Sequence, residues 1–313
     1  MDWWDPAIAA CGLLVGVVVG LTGMGGGALM TPALVFFFGV PPLAAVSSDV
    51  VAGLFMKPVG GLVHLRHGTV HVGLVKWLCL GSIPGGFCGV LLLRLIGERA
   101  PLQDVLLVAL GAVLVLAAFG MAARAYLKLC ARERARTAGR ARAETGLSAV
   151  PPRPLATVLV GTGGGLVVGM TSVGAGSLMI VCLLLLYPTI QARQLVGTDL
   201  VQAVPLVASA SLGHLLFGEF TLGLTGSILA GALPGVWLGA RVSSRSPGSL
   251  VRRTLPVILL ASGAKLLGVP TTVVLVIGVS AAVGGAAGWA WVRVRHGEPP
   301  FVFQHRRRLR GAA

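Results

Sequence analysis

Charged side chains are scarce in this sequence. Asp, Glu, Lys and Arg make up 11% of its 313 residues, whereas a soluble globular domain has about a quarter. Its five cysteines are scattered without a CxxC pair, and the sequence contains no nucleophile with its base, no ATP-binding phosphate loop and no metal-ligand cluster. We therefore expect a protein that is not an enzyme and that holds neither a cofactor nor a metal ion.

Hydrophobic residues dominate instead. They make up 55% of the chain, and the mean hydropathy is +0.90. Long apolar runs such as 102–123, 195–217 and 269–291, which hold at most one charged residue each, approach the roughly 20 residues that cross a bilayer as a helix. This pattern predicts an all-α polytopic membrane protein.

The positive charge is concentrated in a few segments. The net charge is +15, and 14 of the 25 Lys and Arg residues lie in 124–153 and 293–313, with four more in 241–253. Such clustering favours the positive-inside rule over nucleic-acid binding. We expect a plasma (inner) membrane protein whose basic segments are cytoplasmic and contact anionic lipid headgroups.

The chain contains an internal repeat, which glycines mark most clearly. At an offset of 149, Gly12, Gly16, Gly20, Thr22, Gly25 and Gly27 match Gly161, Gly165, Gly169, Thr171, Gly174 and Gly176. At an offset of 150, Asp49, His64, Gly68 and Pro84 match Asp199, His214, Gly218 and Pro234. The predicted units are a first repeat (1–123), an Arg-rich linker (124–154), a second repeat (155–268), an extra helix (269–292) and a basic tail (293–313).

Each repeat is predicted to open with a glycine-broken segment, followed by three spans. The first repeat has 8–38 (broken at 23–27), 44–64, 72–95 and 102–122, and the second has 155–187 (broken at 172–176), 195–216, 222–241 and 252–268. If each broken segment enters and leaves on one side, all the strongly basic segments fall on the same side of the membrane. This favours inverted repeats, in which the substrate site lies between broken helices near the midplane.

Several ordered motifs resemble the sulfite exporter TauE/SafE family. They are G-x-G-G-G-x-L-x-x-P (from Gly23 to Pro32), Ala45 to Asp49, the turn from His64 to Val70, and Gly81-Ser82-x-Pro84-Gly85-x-x-x-Gly89, each with an echo in the second half. The resemblance implies a multi-span transporter with two homologous halves that moves small anions such as sulfite or organosulfonates. Asp49 and Asp199 stand where many relatives have Ser or Asn, and the basic linker is longer.

Backbone N–H groups at a broken helix can bind an anion without a buried charge. We expect substrate-binding positions at both breaks and just before the two repeat-related aspartates: Thr22, Gly25, Gly26, Gly27, Ser48, Thr171, Ser172, Gly174, Gly176 and Thr198. The alternative is that the glycines serve close helix packing. For Gly12, Gly16 and Gly20 that packing interpretation is the preferred one.

Asp49, Asp199 and Lys57 are charges within predicted spans, where ionisable groups are costly and usually functional. Proton coupling is one interpretation of the two aspartates, and helix N-capping is the other. Lys57 has no counterpart, because Val207 is its equivalent. It is expected to attract the substrate or to meet Asp199, unless it snorkels to the interface. For His64 and His214, interfacial anchoring is favoured over a metal site or a proton relay.

These features together predict a secondary transporter of a small anion, with possible proton coupling. A channel-like or proton-conducting protein is one alternative, and a membrane-anchored interaction partner is another. The sequence leaves the oligomeric state open.

Overall fold

The computed structural model describes residues 4–22, 26–66, 68–97, 102–137, 151–174, 176, 178–188, 190, 192–245 and 251–295. These ranges form eleven α-helices and contain no β-strand. The helices are α1 (Pro6–Thr22), α2 (Gly27–Phe38), α3 (Pro42–Arg66), α4 (Val72–Gly97), α5 (Leu102–Thr137), α6 (Pro154–Thr171), α7 (Leu178–Leu186), α8 (Ala192–Phe217), α9 (Leu222–Arg245), α10 (Val251–Leu266) and α11 (Thr271–Arg295).

Six of the described helices are long and apolar enough to cross a membrane. They are α3, α4, α5, α6, α8 and α9. Shorter apolar stretches lie in α1 (Pro6–Leu21), α2 (Gly27–Phe38), α10 (Thr254–Leu266) and α11 (Thr271–Gly285). The chain is therefore an all-α polytopic membrane protein, as its hydropathy predicts. Many large apolar side chains on the outside, such as Phe37 (83% exposed) and Leu155 (75% exposed), are explained by contact with lipid.

Both predicted helix breaks are present. α1 ends at Thr22 and α2 begins at Gly27, while α6 ends at Thr171 and α7 begins at Leu178. One boundary differs from the prediction, because α5 continues to Thr137, well inside the segment expected to be a linker. The basic residues of that segment are good helix formers, so its charge does not end the helix.

Glycines allow close packing between α1 and α9. A Cβ atom at Gly12 would lie 2.8 Å from the carbonyl oxygen of Ile228, and one at Gly16 would reach the backbone of Ala232. On the other helix, a Cβ atom at Gly235 would overlap the carbonyl oxygen of Leu13. Residue numbers rise together along the two helices, so α1 and α9 run parallel.

The helices α4 and α6 pack in the same way. A Cβ atom at Gly161 would lie 2.5 Å from the carbonyl oxygen of Leu78, and one at Gly165 would lie 2.6 Å from that of Ser82. This pair also runs parallel. The packing interpretation of the regularly spaced glycines is therefore the one that the contacts support.

One end of the bundle, which we call the linker end, contains the starts of α4, α6 and α8. The backbone N–H of His71 donates a hydrogen bond of 3.0 Å to Thr198 Oγ1, and Pro152 lies against Gly73. The opposite end, which we call the N-terminal end, contains the starts of α1 and α9. There the backbone N–H of Asp5 donates to Ser227 Oγ at 2.9 Å.

The segment 154–186, which we call hairpin II, starts and finishes at the linker end. The hydroxyl of Tyr187, just after α7, accepts a hydrogen bond from the backbone N–H of Arg153 at 2.7 Å and lies 2.6 Å from Thr157 Oγ1. Because the Thr157 hydroxyl hydrogen goes to the Arg153 carbonyl, Tyr187 is the donor to Thr157. α6 and α7 thus form a re-entrant pair of helices.

The segment 6–38, which we call hairpin I, has its two ends at the N-terminal end. α1 starts beside α9, and α2 finishes only a few residues before α3 begins at Pro42. α3 itself runs from the N-terminal end to the linker end, because Arg66 at its C-terminus precedes the turn that contacts Thr198. The two hairpins therefore enter from opposite ends, and the internal duplication itself stays a prediction.

Candidate functional site

The two helix interruptions meet inside the bundle. A Cβ atom added at Gly27, the first residue of α2, would overlap the carbonyl oxygen of Ser172 and would lie 2.7 Å from its Oγ. Only a glycine lets these two backbones approach so closely. The predicted site residues Gly27 and Ser172 thus lie together, although they belong to opposite hairpins.

Unusual backbone conformations form the interruption in hairpin II. Ser172 has φ of 59°, the one non-glycine residue with positive φ in the described part of the chain. Gly174 and Gly176 have φ of 125° and 91°. The N–H of Ser172 closes α6 on the carbonyl of Val168 at 2.8 Å. This left-handed residue turns the chain out of α6 and toward hairpin I.

Asp49 on α3 connects the two hairpins. Its Oδ2 accepts a hydrogen bond of 3.0 Å from Thr31 Oγ1 in α2 and one of 2.7 Å from Ser172 Oγ. The side chain is 3% exposed. A buried carboxylate with two hydroxyl donors is stabilised by charge-assisted hydrogen bonds, and here those bonds join three separate segments.

The N-capping interpretation of the two aspartates is wrong. α3 begins at Pro42 and α8 begins at Ala192, so Asp49 and Asp199 each lie about two turns inside a helix. Neither position can satisfy the first N–H groups of its helix. Both carboxylates are buried within spans, which leaves the functional interpretation of these charges standing as a prediction.

Asp199 on α8 has different partners. Its Oδ1 accepts a hydrogen bond of 3.0 Å from Gln202 Nε2, which also lies 2.7 Å from Met179 Sδ. Gln202 Oε1 in turn accepts from Ser82 Oγ on α4 at 3.1 Å. The sequence reasoning missed Gln202 and Ser82. An uncharged amide within an apolar span was the signal that could have drawn attention to Gln202.

Lys57 lies on the face of α3 that packs against α8. A Cβ atom at Gly53 would lie 3.9 Å from Lys57 Cε and 3.7 Å from Val207 Cγ1. The side chain thus runs back toward the helix centre, as helical side chains do, and away from the end of α3. Lys57 interacts electrostatically with Asp199 and, less strongly, with Asp49. This placement argues against snorkelling, and the meeting with Asp199 stays a prediction.

Other predicted site residues have mainly local roles. Thr171 Oγ1 donates to the carbonyl of Val167 at 2.6 Å, within the last turn of α6 before the interruption. Thr198 Oγ1 donates to the carbonyl of Gln194 and accepts from His71 at the linker end. Both Thr198 bonds are to backbone groups of the linker end. Thr198 therefore lies away from the point where the two hairpins meet.

Ser48 is fully buried, and its Oγ has no hydrogen-bond partner among the described residues. Gly26 adjoins the meeting point, and a Cβ atom there would make only ordinary contacts, 3.5 Å from Met56 Cε. The predicted site residue Gly25 and the side chain of Thr22 lie outside the described residues. Hairpin I is therefore represented at the site by Gly26, Gly27 and Thr31.

His214 is a structural residue of the interior, and its predicted interfacial anchoring is wrong. It is fully buried, and its Nε2 lies 2.8 Å from the carbonyl oxygen of Gly169, to which it must donate. In the neutral ring Nδ1 then accepts from Ser47 Oγ at 3.0 Å. The repeat-related His64 is partly exposed and pairs with Thr69 Oγ1 at 2.9 Å. His214 thus joins α8 to α3 and α6.

Comparison with known proteins identifies the family. The family described as "Sulfite exporter TauE/SafE" matches residues 8–266. "Probable membrane transporter protein YjnA" of Bacillus subtilis (strain 168) is 34% identical over 262 residues, which cover 83% of this chain and 99% of that protein. "Probable membrane transporter protein YdhB" of the same organism is 22% identical over 245 residues, covering 77% and 91%. No solved structure matches this chain.

Proposed function

Because the chain belongs to the sulfite exporter TauE/SafE family, we propose that this membrane transporter is a secondary transporter of a small anion such as sulfite or an organosulfonate. The single observation that carries the proposal is the contact between Gly27 and Ser172. It joins the interruptions of two hairpins that enter from opposite ends, the arrangement in which transporters of several folds bind their substrate.

The chemistry around this contact supports an anionic substrate. The start of α2, a helix of 12 residues, carries partial positive charge, and its N–H groups before Leu29 are the ones that the helix does not use, since those of Leu29 and Met30 donate to the carbonyl of Gly26. Gly26 places no side chain beside these N–H groups, and a Cβ atom there would make only ordinary contacts. The hydroxyl of Ser172 adds a donor, and Lys57 adds a basic group from α3.

A proton gradient is the proposed driving force. Asp49 and Asp199 both interact with Lys57, so the site carries one net negative charge when all three groups are ionised. Two unit charges interact strongly in a poorly solvated interior, and an anion enters more favourably when a carboxylate is protonated. Because protonation lowers the negative charge of the site, the anion is expected to move together with a proton.

We propose that the linker end is cytoplasmic and that the membrane is the plasma membrane. The turn after Arg66, the segment around Arg153 and the last residues of α9 share this end, and the basic residues of 124–153 and 241–253 adjoin it in sequence. At the opposite end, Arg94 stacks on the ring of Phe217 at 4.9 Å, which gives this cation a local partner.

Uptake by proteoliposomes tests the proposal. Purified protein is reconstituted, and the entry of radiolabelled sulfite, an organosulfonate and a carboxylate is measured with and without a pH gradient. Saturable uptake of at least one anion, accelerated by the gradient, is expected. A current that rises linearly with concentration would identify a channel, and a lack of movement of every anion would reject the anion proposal.

A further inference from the structure

The two repeat-related aspartates have different surroundings. Asp49 accepts hydrogen bonds from hydroxyls of two other segments, Thr31 and Ser172. Asp199 accepts from Gln202, one turn further along its own helix. The equivalent of Gln202 in the first half is Ala52, and the equivalent of Ser82 in the second half is Ala232. The amide brace therefore exists around one aspartate only.

The bonds of Asp49 depend on its negative charge. An ionised carboxylate accepts from both hydroxyls, whereas a protonated one carries a donor of its own and is a much weaker acceptor. Protonation of Asp49 thus loosens the link between Thr31 in hairpin I and Ser172 in hairpin II. Because these hairpins enter from opposite ends, this link is well placed to control their separation.

The charged and titratable groups around Asp49 come from few elements. Lys57 is on its own helix, and α8 contributes Asp199 together with His214, which binds the nearby Ser47. α2 and α6 contain no titratable side chain, and those of α9 lie in its last turns. Among these groups, Asp49 is the carboxylate that bonds to both hairpins, through Thr31 and Ser172.

Asp199 is held by a brace on its own helix, and Gln202 extends this brace to Met179 at the start of α7. Gln202 also links it to Ser82 on α4, and Lys57 interacts with it across the contact between α3 and α8. Removing the charge of Asp199 leaves Lys57 without its main counter-charge, which is costly in a membrane interior.

We infer that the two aspartates have divided roles: Asp49 is the coupling carboxylate that links the two hairpins, and Asp199, braced by Gln202, is the fixed counter-charge of Lys57. This inference rests on the proposed transport of an anion with a proton. In each cycle a proton from water on one side binds Asp49 and leaves to water on the other side, and Asp199 takes no part in this transfer.

Two measurements on the full-length protein test the division. In proteoliposomes, Asp49→Asn is expected to retain exchange of radiolabelled sulfite, the family's named anion, and to lose all acceleration by the pH gradient. Asp199→Asn is expected to reduce exchange itself, while its remaining flux still responds to the gradient. Asp104→Asn, an exposed carboxylate at the start of α5, is the matched control and should behave as wild type.

The second measurement is thermal unfolding in detergent. Asp199→Asn is expected to lower the midpoint, and Asp199→Asn combined with Lys57→Met is expected to recover most of the loss, because the pair is then removed together. Asp49→Asn combined with Lys57→Met should show no such recovery.

The outcomes separate the two proposals. If the wild type moves sulfite and Asp49→Asn keeps its response to the gradient, the divided roles are wrong and the transport proposal stands. Recovery by Lys57→Met with Asp49→Asn but not with Asp199→Asn overturns the assignment of the counter-charge. If the wild type moves neither sulfite nor the other anions, the proposed function fails together with the coupling role of Asp49.

Discussion

Ser172 Oγ donates a hydrogen bond of 2.7 Å to Asp49 Oδ2, although 123 residues separate them in the sequence. Ser172 holds a left-handed conformation with φ of 59°, and its carbonyl lies against Gly27. One residue thus closes α6, contacts hairpin I and binds the buried carboxylate of α3. Its backbone and its hydroxyl can be tested separately.

Replacing Ser172 by Ala removes the hydroxyl and keeps the backbone strain. Ser172→Gly also removes the hydroxyl, but it relieves the backbone strain. We expect Ser172→Ala to lower the free energy of unfolding by about 1.5–3 kcal/mol, the usual loss for a hydrogen bond to a charged group. Ser172→Gly should be more stable than Ser172→Ala by about 1 kcal/mol, because glycine adopts positive φ readily. Thermal unfolding in detergent checks the order, and equal stability of the two variants would contradict it.

Gly27→Ala tests the contact between the interruptions. The added Cβ atom would overlap the backbone of Ser172, which cannot rotate away as a side chain could. We expect a loss of about 1–3 kcal/mol, as for overpacking in a dense core, together with severely reduced uptake. Gly163→Ala in α6 is the control, since nothing lies within 4 Å of a Cβ atom there. Wild-type uptake by Gly27→Ala would show that the close approach is dispensable.

Tyr187→Phe tests the closure of hairpin II at the linker end. Phenylalanine keeps the ring but loses the bonds to Arg153 and Thr157. We expect a decrease in stability of about 1–2 kcal/mol, because two neutral hydrogen bonds are lost. Thr157→Val should cost a similar amount. The double variant should cost less than the sum of the two, since the residues share one network; strict additivity in thermal unfolding would argue against it.

Cysteine labelling tests the opposite entry of the hairpins. In a background without the native cysteines, Trp4→Cys and Glu219→Cys should react with a membrane-impermeant maleimide in intact cells. Pro151→Cys should react only after permeabilisation. All three positions are exposed, so access depends on the side of the membrane. If Trp4→Cys and Glu219→Cys react from different sides, the parallel arrangement of α1 and α9 is incompatible with the membrane topology.

The sequence predicted the helix breaks because glycine acts locally. Clusters such as Gly25 to Gly27 destabilise a helix wherever they occur, and regular spacing marked the glycines that pack α1 and α6 against their neighbours. The position of Asp49 and Asp199 within predicted spans drew attention to them, but left a coupling role and helix N-capping open. These features need no knowledge of which helices touch.

The partners of those charges could not be predicted in the same way. Thr31 and Ser82 are isolated polar residues in apolar helices, and a single polar residue has no period that assigns it to a face. The bond from Ser172 to Asp49 depends on the packing of α2, α3 and hairpin II. The extension of α5 to Thr137 was missed because clustered arginines indicated a side of the membrane and not a secondary structure.

The pairing of α1 with α9 sets the order of events during synthesis. α1 leaves the ribosome first, yet α9 begins at Leu222, about 200 residues later, which takes roughly 10–40 s at usual elongation rates. Until then the glycine-lined face of α1, with Gly12 and Gly16, has only lipid or an insertion factor to cover it. α4 and α6 can pair much sooner, so the first helix of the chain finds its main partner only after most of the other helices have been made.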